Sequence, residues 1–291
     1  MKKVRNLPIL ATNRWLHKFI KTCNKNSFIS PYSIQLQTLC VPLKRYFPTY
    51  TSQEVHAHLL KNGLFNPENW MDIQSVVKEM EKKNIWGFVN KQYQLLKKEW
   101  NGPEASIFIF PIKQNHSFLN EKRNNRNGMA FRGKMFLFVS PDVRLEELKA
   151  LLAHEYNHIC RLHLLNRDDQ KTPLKDSLII EGLGEYAVKS LYGKRLLGRA
   201  ARLYTLDEAL ELWNDQFISN LNLLGKEKHN PFLYGDRDRF LPPWIGYYIG
   251  YQIVNTFQKK NGPYPMNELL LKSADELIQG SKFALKKKEK D

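Results

Sequence analysis

The chain has 291 residues, of which 42% are hydrophobic and 25% are charged. This length allows one large domain or two smaller ones, and the composition excludes an intrinsically disordered or fibrous protein. The net charge of +16 is uneven. Residues 1–143 hold 22 basic and 9 acidic side chains (+13), whereas residues 144–291 hold 23 and 20 (+3). Nucleic acid is therefore a partner to consider for the N-terminal half, and the C-terminal half works near neutrality.

The cysteine content and the N-terminus bear on localisation. Cys23, Cys40 and Cys160 form no CxxC pair, which is typical of a reducing compartment. Polar residues interrupt the run that follows the basic N-terminus, unlike in a secretory signal, and no stretch approaches the ~18 apolar residues of a membrane span. We expect a cytoplasmic protein without a transmembrane segment, with a solvated basic tail at residues 286–290.

Residues 1–100 are predicted to form a mostly helical region. Apolar residues spaced among charged ones indicate helices over 52–62 and 70–84. The turn-forming pairs Asn62-Gly63 and Asn66-Pro67 bound these segments.

Short apolar runs begin after residue 103. Residues 106–110 are typical of a buried strand, and an Asn-rich loop is predicted over 114–127. Residues 129–131 and 134–139 flank Arg132-Gly133, which indicates a hairpin.

Helical patterns follow the strands. Ser140-Pro141-Asp142 predicts a helix start, with Ser as the N-cap and Pro at the first helical position. The predicted helices cover 143–165, 176–192, 206–224 and 244–260. Strands followed by helices predict an α+β fold instead of alternating βαβ units.

Residues 154–158 read His154-Glu155-Tyr156-Asn157-His158, an HExxH pattern. Helical residues four apart lie ~40° apart around the axis, so both imidazoles can reach one ion. Zinc accepts neutral imidazole and takes three protein ligands plus a water in a catalytic site. Glu155 lies beside the two histidines, where a general base would take a proton from the attacking water. An amphipathic helix with two incidental histidines is the alternative, but the position after a strand and a helix start favours a metal site.

Several residues fail as the third ligand. His163 is nine residues after His154 and therefore lies on the opposite side of the helix. Leu164 stands where the metzincin pattern requires a histidine, so that class is excluded. Cys160 lies on a different face from His158 and is more typical of a small core residue.

Glu181 and Glu185 are the remaining candidates. They lie one turn apart on one face of an apolar helix, where a carboxylate without a partner would be costly. One can bind the ion while the other accepts a hydrogen bond from a ligand imidazole. Spacing does not choose between them, and an exposed acidic helix face is the alternative.

The pattern as a whole resembles the gluzincin metallopeptidases. Residues 180–186, Ile-Glu-Gly-Leu-Gly-Glu-Tyr, look like the NEGFAxY segment of zinc aminopeptidases, in which the first Glu binds zinc. The resemblance implies that Glu181 is the ligand. In thermolysin-like enzymes an acid four residues later supports a zinc histidine, and Glu185 occupies that offset. The gap of 23 residues from His158 to Glu181 is slightly longer than in either group.

A closer resemblance runs from about residue 95 to the end. Segments 100–103, 107–111, 151–158 and 246–251 are similar to the YjaZ-type family of predicted bacterial zinc-dependent proteases. The resemblance implies a zincin-like metallopeptidase domain over 101–291, with a small sheet before the HExxH helix and a mostly helical C-terminal part. It also implies Zn²⁺ as cofactor and a peptide or protein as substrate.

Tyr247 is a candidate donor to the oxyanion that forms during hydrolysis. Residues 247–250 resemble the YxxG in which zinc aminopeptidases carry such a tyrosine. The alternative is an aromatic helix face packed in the core, made of Trp244, Tyr247, Tyr248 and Tyr251. His229 is a third candidate donor, although its polar loop is more typical of an exposed structural residue.

Zincins bind extended peptides along an edge strand that precedes the HExxH helix. Either 107–110 or 135–139 is a candidate for that edge, and the alternative is that both strands are interior.

The leading hypothesis is a zinc-dependent metallopeptidase. Its ligands are His154, His158 and Glu181, with Glu155 as general base, Tyr247 as oxyanion donor and Glu185 behind a ligand. The alternative is a non-catalytic zinc-containing scaffold that binds nucleic acid through its basic half. Dispersed basic residues and the lack of a nucleic-acid motif disfavour it.

Overall fold

A computed structural model of the chain describes residues 8–26, 28–113 and 125–285. The predicted tail at 286–290 and most of the predicted loop at 114–127 lie outside these ranges. Within them the chain is mostly helical and has one three-stranded sheet, which confirms the α+β class. Among the described helices, none has the length and apolar character needed to cross a bilayer.

The chain forms two compact units. The first comprises the chain up to Leu95 together with Glu104–Leu152, and the second comprises Leu96–Pro103 and the chain from Ala153 onward. The strands group with the N-terminal helices because their aromatic side chains share one hydrophobic core. The division predicted at residues 100 and 101 stays a prediction about domains, and it differs from this grouping.

In the part of the chain that the structure describes, five α-helices precede the sheet. They are α1 Thr12–Lys25, α2 Pro31–Gln35, α3 Ser52–Lys61, α4 Trp70–Lys82 and α5 Ile85–Glu99. The predicted helices at 52–62 and 70–84 correspond to α3 and α4. A capping box starts α3, in which Thr51 and Glu54 each accept a backbone N–H of the other, at 3.1 and 2.7 Å.

The sheet consists of β1 Ser106–Pro111, β2 Arg126–Phe131 and β3 Lys134–Val139, in the order β1-β3-β2. β2 and β3 pair antiparallel around Arg132-Gly133, as predicted, and β1 pairs parallel with β3. Of the two candidate edges, 135–139 is excluded and takes its alternative, an interior strand, because β3 has hydrogen-bonded neighbours on both sides. β1 and β2 are the outer strands.

Phenylalanines from β1 and β3 form the centre of the first unit. Phe108 faces Phe136 and Phe110 faces Phe138 across the parallel pair, and all four are fully buried. The rings of Phe108 and Phe136 stack with centroids 4.8 Å apart. Because side chains two apart share a face of a strand, this alternation places all four rings on one face of the sheet.

The remaining helices are α6 Leu145–Leu165, α7 Leu174–Tyr192, α8 Leu206–Leu212, α9 Asn230–Tyr234, α10 Ile245–Asn261, α11 Met266–Leu269 and α12 Ala274–Gln279. The predicted N-cap at Ser140 is wrong: its carbonyl accepts from the N–H of Val143 in a turn, and α6 begins at Leu145. The predicted helix at 206–224 is α-helical only to Leu212, and a π-helical turn follows.

Two glycines allow α7 and α10 of the second unit to pack backbone against backbone. A Cβ at Gly182 would lie 2.1 Å from the carbonyl oxygen of Gly250, and one at Gly250 would lie 2.1 Å from that of Leu178. No larger residue fits either position without moving a helix. This close contact fixes Glu181 on α7 relative to Tyr247 on α10.

Candidate metal centre

The two histidines of the HExxH segment lie side by side on α6, as the helical period requires. The ring centroids of His154 and His158 are 4.4 Å apart, and the ring planes are inclined by 80°. Glu181 approaches both rings from α7. Its Oε2 atom lies 3.4 Å from Nε2 of His154 and 3.3 Å from Nε2 of His158.

These distances suit ligands of one ion better than hydrogen bonds. A hydrogen bond of this kind spans about 2.7–3.2 Å, and Glu181 Oε2 is buried without a hydrogen-bond partner among the described residues. Two ligand atoms, each about 2.1 Å from a tetrahedral zinc, lie about 3.4 Å apart. Within the described parts of the chain, His154, His158 and Glu181 are the one cluster of three potential metal ligands, with atoms within 4.8 Å of one another. The residues therefore fit Zn²⁺.

The histidines and glutamates of the cluster shift one another's pKa values. Burial raises the pKa of Glu181, but His158 and His154 outweigh it and hold that pKa well below its ordinary value. Burial lowers the pKa of His154, yet Glu181, Glu185 and Glu155 together raise it to about 9. Zinc binding to these side chains would accordingly displace protons.

Glu185 lies behind His154 as seen from Glu181. Its Oε1 atom is 3.5 Å from Nδ1 of His154, and its Oε2 atom accepts a 3.0 Å hydrogen bond from the backbone N–H of Gly198. A carboxylate held in this way can orient an imidazole whose other nitrogen binds a metal. Gly184 makes room for both rings, because a Cβ there would lie 3.0 Å from His154 and 3.1 Å from His158.

Glu155 is 5% exposed, and its Oε2 atom has no hydrogen-bond partner among the described residues. Burial raises its pKa above the ordinary value, His158 and His154 act in the opposite direction, and Glu181 adds to the increase. A carboxyl group with a raised pKa is suited to accepting and returning a proton near neutral pH.

Tyr247 on α10 belongs to the same neighbourhood. Burial raises its pKa well above the ordinary value, and the Glu181 carboxylate is the next largest cause. Tyr234, at the end of α9, was not predicted. Its ring centroid lies 5.7 Å from that of Tyr247. Burial raises the pKa of its hydroxyl, and the charges of Glu181 and Glu155 add to the increase. No sequence signal marked Tyr234, because it stands alone in a segment punctuated by Pro and Gly.

The other candidate donors have different surroundings. His229 is fully buried, so the prediction of an exposed loop residue is wrong. Its Nδ1 lies 2.8 Å from the Ser177 hydroxyl and its Nε2 lies 2.9 Å from the Leu223 carbonyl oxygen, which occupies both ring nitrogens. Tyr251 packs in a small apolar cluster, and burial raises its pKa to about 12. Cys160 is buried, as expected of a core residue.

Comparison with known proteins places the metal cluster inside a recognised family segment. The family model described as "Predicted Zn-dependent protease (DUF2268)" matches residues 85–279. Uncharacterized protein YjaZ of Bacillus subtilis (strain 168) is 30% identical over 200 residues, which cover 69% of this chain and 76% of that protein. Uncharacterized protein YjfC of the same organism is 25% identical over 138 residues, or 44% of this chain and 46% of that protein. No solved structure matches the chain.

Proposed function

The chain belongs to the family of predicted Zn-dependent proteases, and from this premise we propose that it is a zinc-dependent metallopeptidase with a zincin-like fold. One observation carries the proposal. A buried carboxylate oxygen of Glu181 lies 3.3–3.4 Å from the Nε2 atoms of both HExxH histidines, at the spacing of ligands around one zinc ion.

His154, His158 and Glu181 hold the ion in this proposal. When bound, zinc would polarise the scissile carbonyl and lower the pKa of a coordinated water to about 7. Glu185 orients His154 through Nδ1 and thereby leaves Nε2 as the ligating atom. The substrate is a peptide or a protein.

Glu155 and Tyr247 handle the proton and the developing negative charge. Glu155 takes a proton from the attacking water and returns it to the leaving amine, for which its burial and raised pKa are suited. Tyr247, whose raised pKa keeps its hydroxyl protonated, donates a hydrogen bond to the oxygen that becomes negative.

Replacing Glu155 tests this mechanism. Glu155→Gln keeps the size of the side chain and removes the proton acceptor, so we expect one zinc ion per chain to remain and peptide hydrolysis to fall by about 10³-fold or more. Zinc content is measured by atomic emission, and hydrolysis by mass spectrometry of a peptide library. Glu146→Gln is the matched control, since Glu146 is an exposed residue in the first turn of the same helix.

Two results would contradict different parts of this proposal. A Glu155→Gln protein that cleaves peptides as well as the wild type would contradict the proposed role of Glu155. A wild-type protein that binds zinc and cleaves none of the library would contradict the peptidase assignment itself.

A further inference from the structure

Three aromatic side chains contact one another, and one of them is Tyr247, the candidate oxyanion donor. The ring of Trp244 meets two tyrosines edge to face, with its centroid 5.2 Å from that of Tyr234 and 5.3 Å from that of Tyr247. The centroids of the two tyrosine rings are 5.7 Å apart. Tyr234 and Trp244 are each 44% exposed, whereas Tyr247 is more buried. The two outer rings thus present apolar area to solvent next to the candidate oxyanion donor.

The loop between α9 and α10 brings the two outer rings together. Asp236 and Leu241 exchange backbone hydrogen bonds of 2.8 and 2.9 Å, and the N–H of Trp244 donates to the carbonyl of Tyr234 at 3.0 Å. Gly235 permits the reversal, because its φ is +94° and a Cβ there would lie 2.7 Å from the carbonyl oxygen of Pro242. The chain itself therefore holds Trp244 against Tyr234.

The backbone of Trp244 does not favour a bulky residue. Trp244 caps α10 in the left-handed conformation, at φ 65° and ψ 17°. Glycine or asparagine adopts this conformation at lower cost than an aromatic residue. Because nearly half of the ring is exposed, burial in the core does not account for tryptophan here either. Strained residues of this kind cluster at ligand-binding sites, where the contact with the ligand compensates.

Tyr247 connects this aromatic pair with the candidate metal centre, because both Tyr234 and Trp244 contact its ring. The ring centroid of Tyr234 lies 5.7 Å from that of Tyr247. Tyr247 lies one turn before Gly250 on α10. Gly250 packs against Gly182, the residue after Glu181 on α7. A group placed on the exposed faces of Tyr234 and Trp244 would consequently lie next to Tyr247, the candidate oxyanion donor.

We propose that Tyr234 and Trp244 form a subsite that binds a large apolar or aromatic side chain of the substrate, next to the bond that is cleaved. This inference rests on the proposed function and names its substrate class. Two exposed aromatic faces gain most from burying an apolar side chain, and aromatic rings favour the edge-to-face contacts already present between them.

Matched peptides test the subsite. In one series of peptides, the residue on the N-terminal side of the cleaved bond is Phe, Leu, Ala or Asp. In the second series, the residue on the C-terminal side is varied in the same way. All other residues are identical. We expect wild-type kcat/KM to be about 10- to 100-fold higher for Phe than for Ala in one series. In Trp244→Ala this ratio should fall to about 3-fold or less, since the main apolar contact is lost. Trp244→Asn, which suits the left-handed backbone, should give the same loss and serves if the alanine variant does not fold.

Phe240→Ala is the matched control. Phe240 lies on the same loop, is 86% exposed and also has a left-handed backbone, with φ 55°. It makes no ring contact with Tyr234, Trp244 or Tyr247 among the contacts of the described residues, so we expect the Phe-to-Ala ratio to stay at the wild-type value. Equal loss of selectivity in Phe240→Ala and Trp244→Ala would overturn the proposal.

Binding to Glu155→Gln separates failure of the subsite from failure of the proposed function. Calorimetry on this variant should show the Phe peptide binding about 10-fold more tightly than the Ala peptide, with the difference lost on adding Trp244→Ala. Cleavage without side-chain preference overturns the subsite and leaves the peptidase. If nothing is cleaved, the peptidase assignment fails, and the subsite stands or falls on the binding difference alone.

Discussion

The two compact units bury different kinds of side chain. The first unit has a layer of phenylalanines from adjacent strands, in which apolar rings contact apolar rings. The second unit buries Glu155, His158 and Glu185 and half-buries His154 and Glu181, all within a few turns of α6 and α7. Hydrophobic burial stabilises the first arrangement, whereas the second is costly without a partner for its charges. An unpartnered buried carboxylate therefore indicates a function where a buried ring indicates only a core.

Histidine shows the same difference within one residue type. His56 in the first unit is fully buried, with its Nε2 atom 2.6 Å from the Gln35 side-chain oxygen, and burial lowers its pKa to about 4. His154 in the second unit faces carboxylates, and its pKa is raised to about 9. A buried histidine on a helix is therefore not a metal ligand by itself. The structural His56 faces the neutral side chain of Gln35, whereas the candidate ligand His154 faces carboxylates from α7.

The largest effect is expected from removing a ring of the first unit. Phe136→Ala should lower the free energy of unfolding by about 3–5 kcal/mol, because a fully buried aromatic side chain leaves a cavity. Urea unfolding measures the change, and it should be the same with zinc and with chelator, since the ring contacts of Phe136 involve no residue of the metal cluster. Phe28→Ala is the control, as Phe28 is fully exposed and should change stability by less than about 0.5 kcal/mol. If the loss of unfolding free energy in Phe136→Ala differed between zinc and chelator, the stability of the phenylalanine core would depend on the metal site, which contradicts this prediction.

A smaller effect is expected behind the metal ligands. Glu185→Gln should weaken zinc binding by about 10- to 100-fold, because the carboxylate that orients His154 loses its charge. Competition with a chromogenic chelator measures the affinity. Glu211→Gln, an exposed change of the same kind on α8, should leave it unaltered. Equal affinities in wild type and Glu185→Gln would mean that the 3.5 Å contact has no part in metal binding.

An effect of comparable size concerns His56 and pH. The folded pKa of about 4 lies below the ordinary value of 6.5, so the folded chain favours the neutral ring. Its contribution to stability is complete above pH 6.5 and is lost as the pH falls toward 4. The difference in unfolding free energy between wild type and His56→Gln should shift by about 2–3 kcal/mol over this range. His163→Gln, at an exposed position, is the control, and a pH-independent difference for His56→Gln would contradict the prediction.

Local patterns predicted much of the secondary structure, because helix and strand periods depend on neighbouring residues. Such patterns predicted the hairpin around Arg132-Gly133 and the helix at 176–192, which corresponds to α7. The start of α6 did not follow from a local pattern. The Ser140 carbonyl accepts a hydrogen bond from the N–H of Val143 in a turn, and Ser140 therefore does not cap the helix. The parallel pairing of β1 with β3 also escaped prediction, since it joins strands separated along the chain.

The sequence by itself determined which side chains share a helix face. His154 and His158 lie together on α6, and Glu181 and Glu185 lie together on α7, because both pairs follow the helical period. Only the tertiary structure decided what each face meets. Glu181 approaches both Nε2 atoms and Glu185 approaches Nδ1 of His154 because α6 and α7 pack in one register. Trp244 and Tyr247 are neighbours at the start of α10, but Tyr234 reaches both of them only through the folded loop before α10, which no local period encodes.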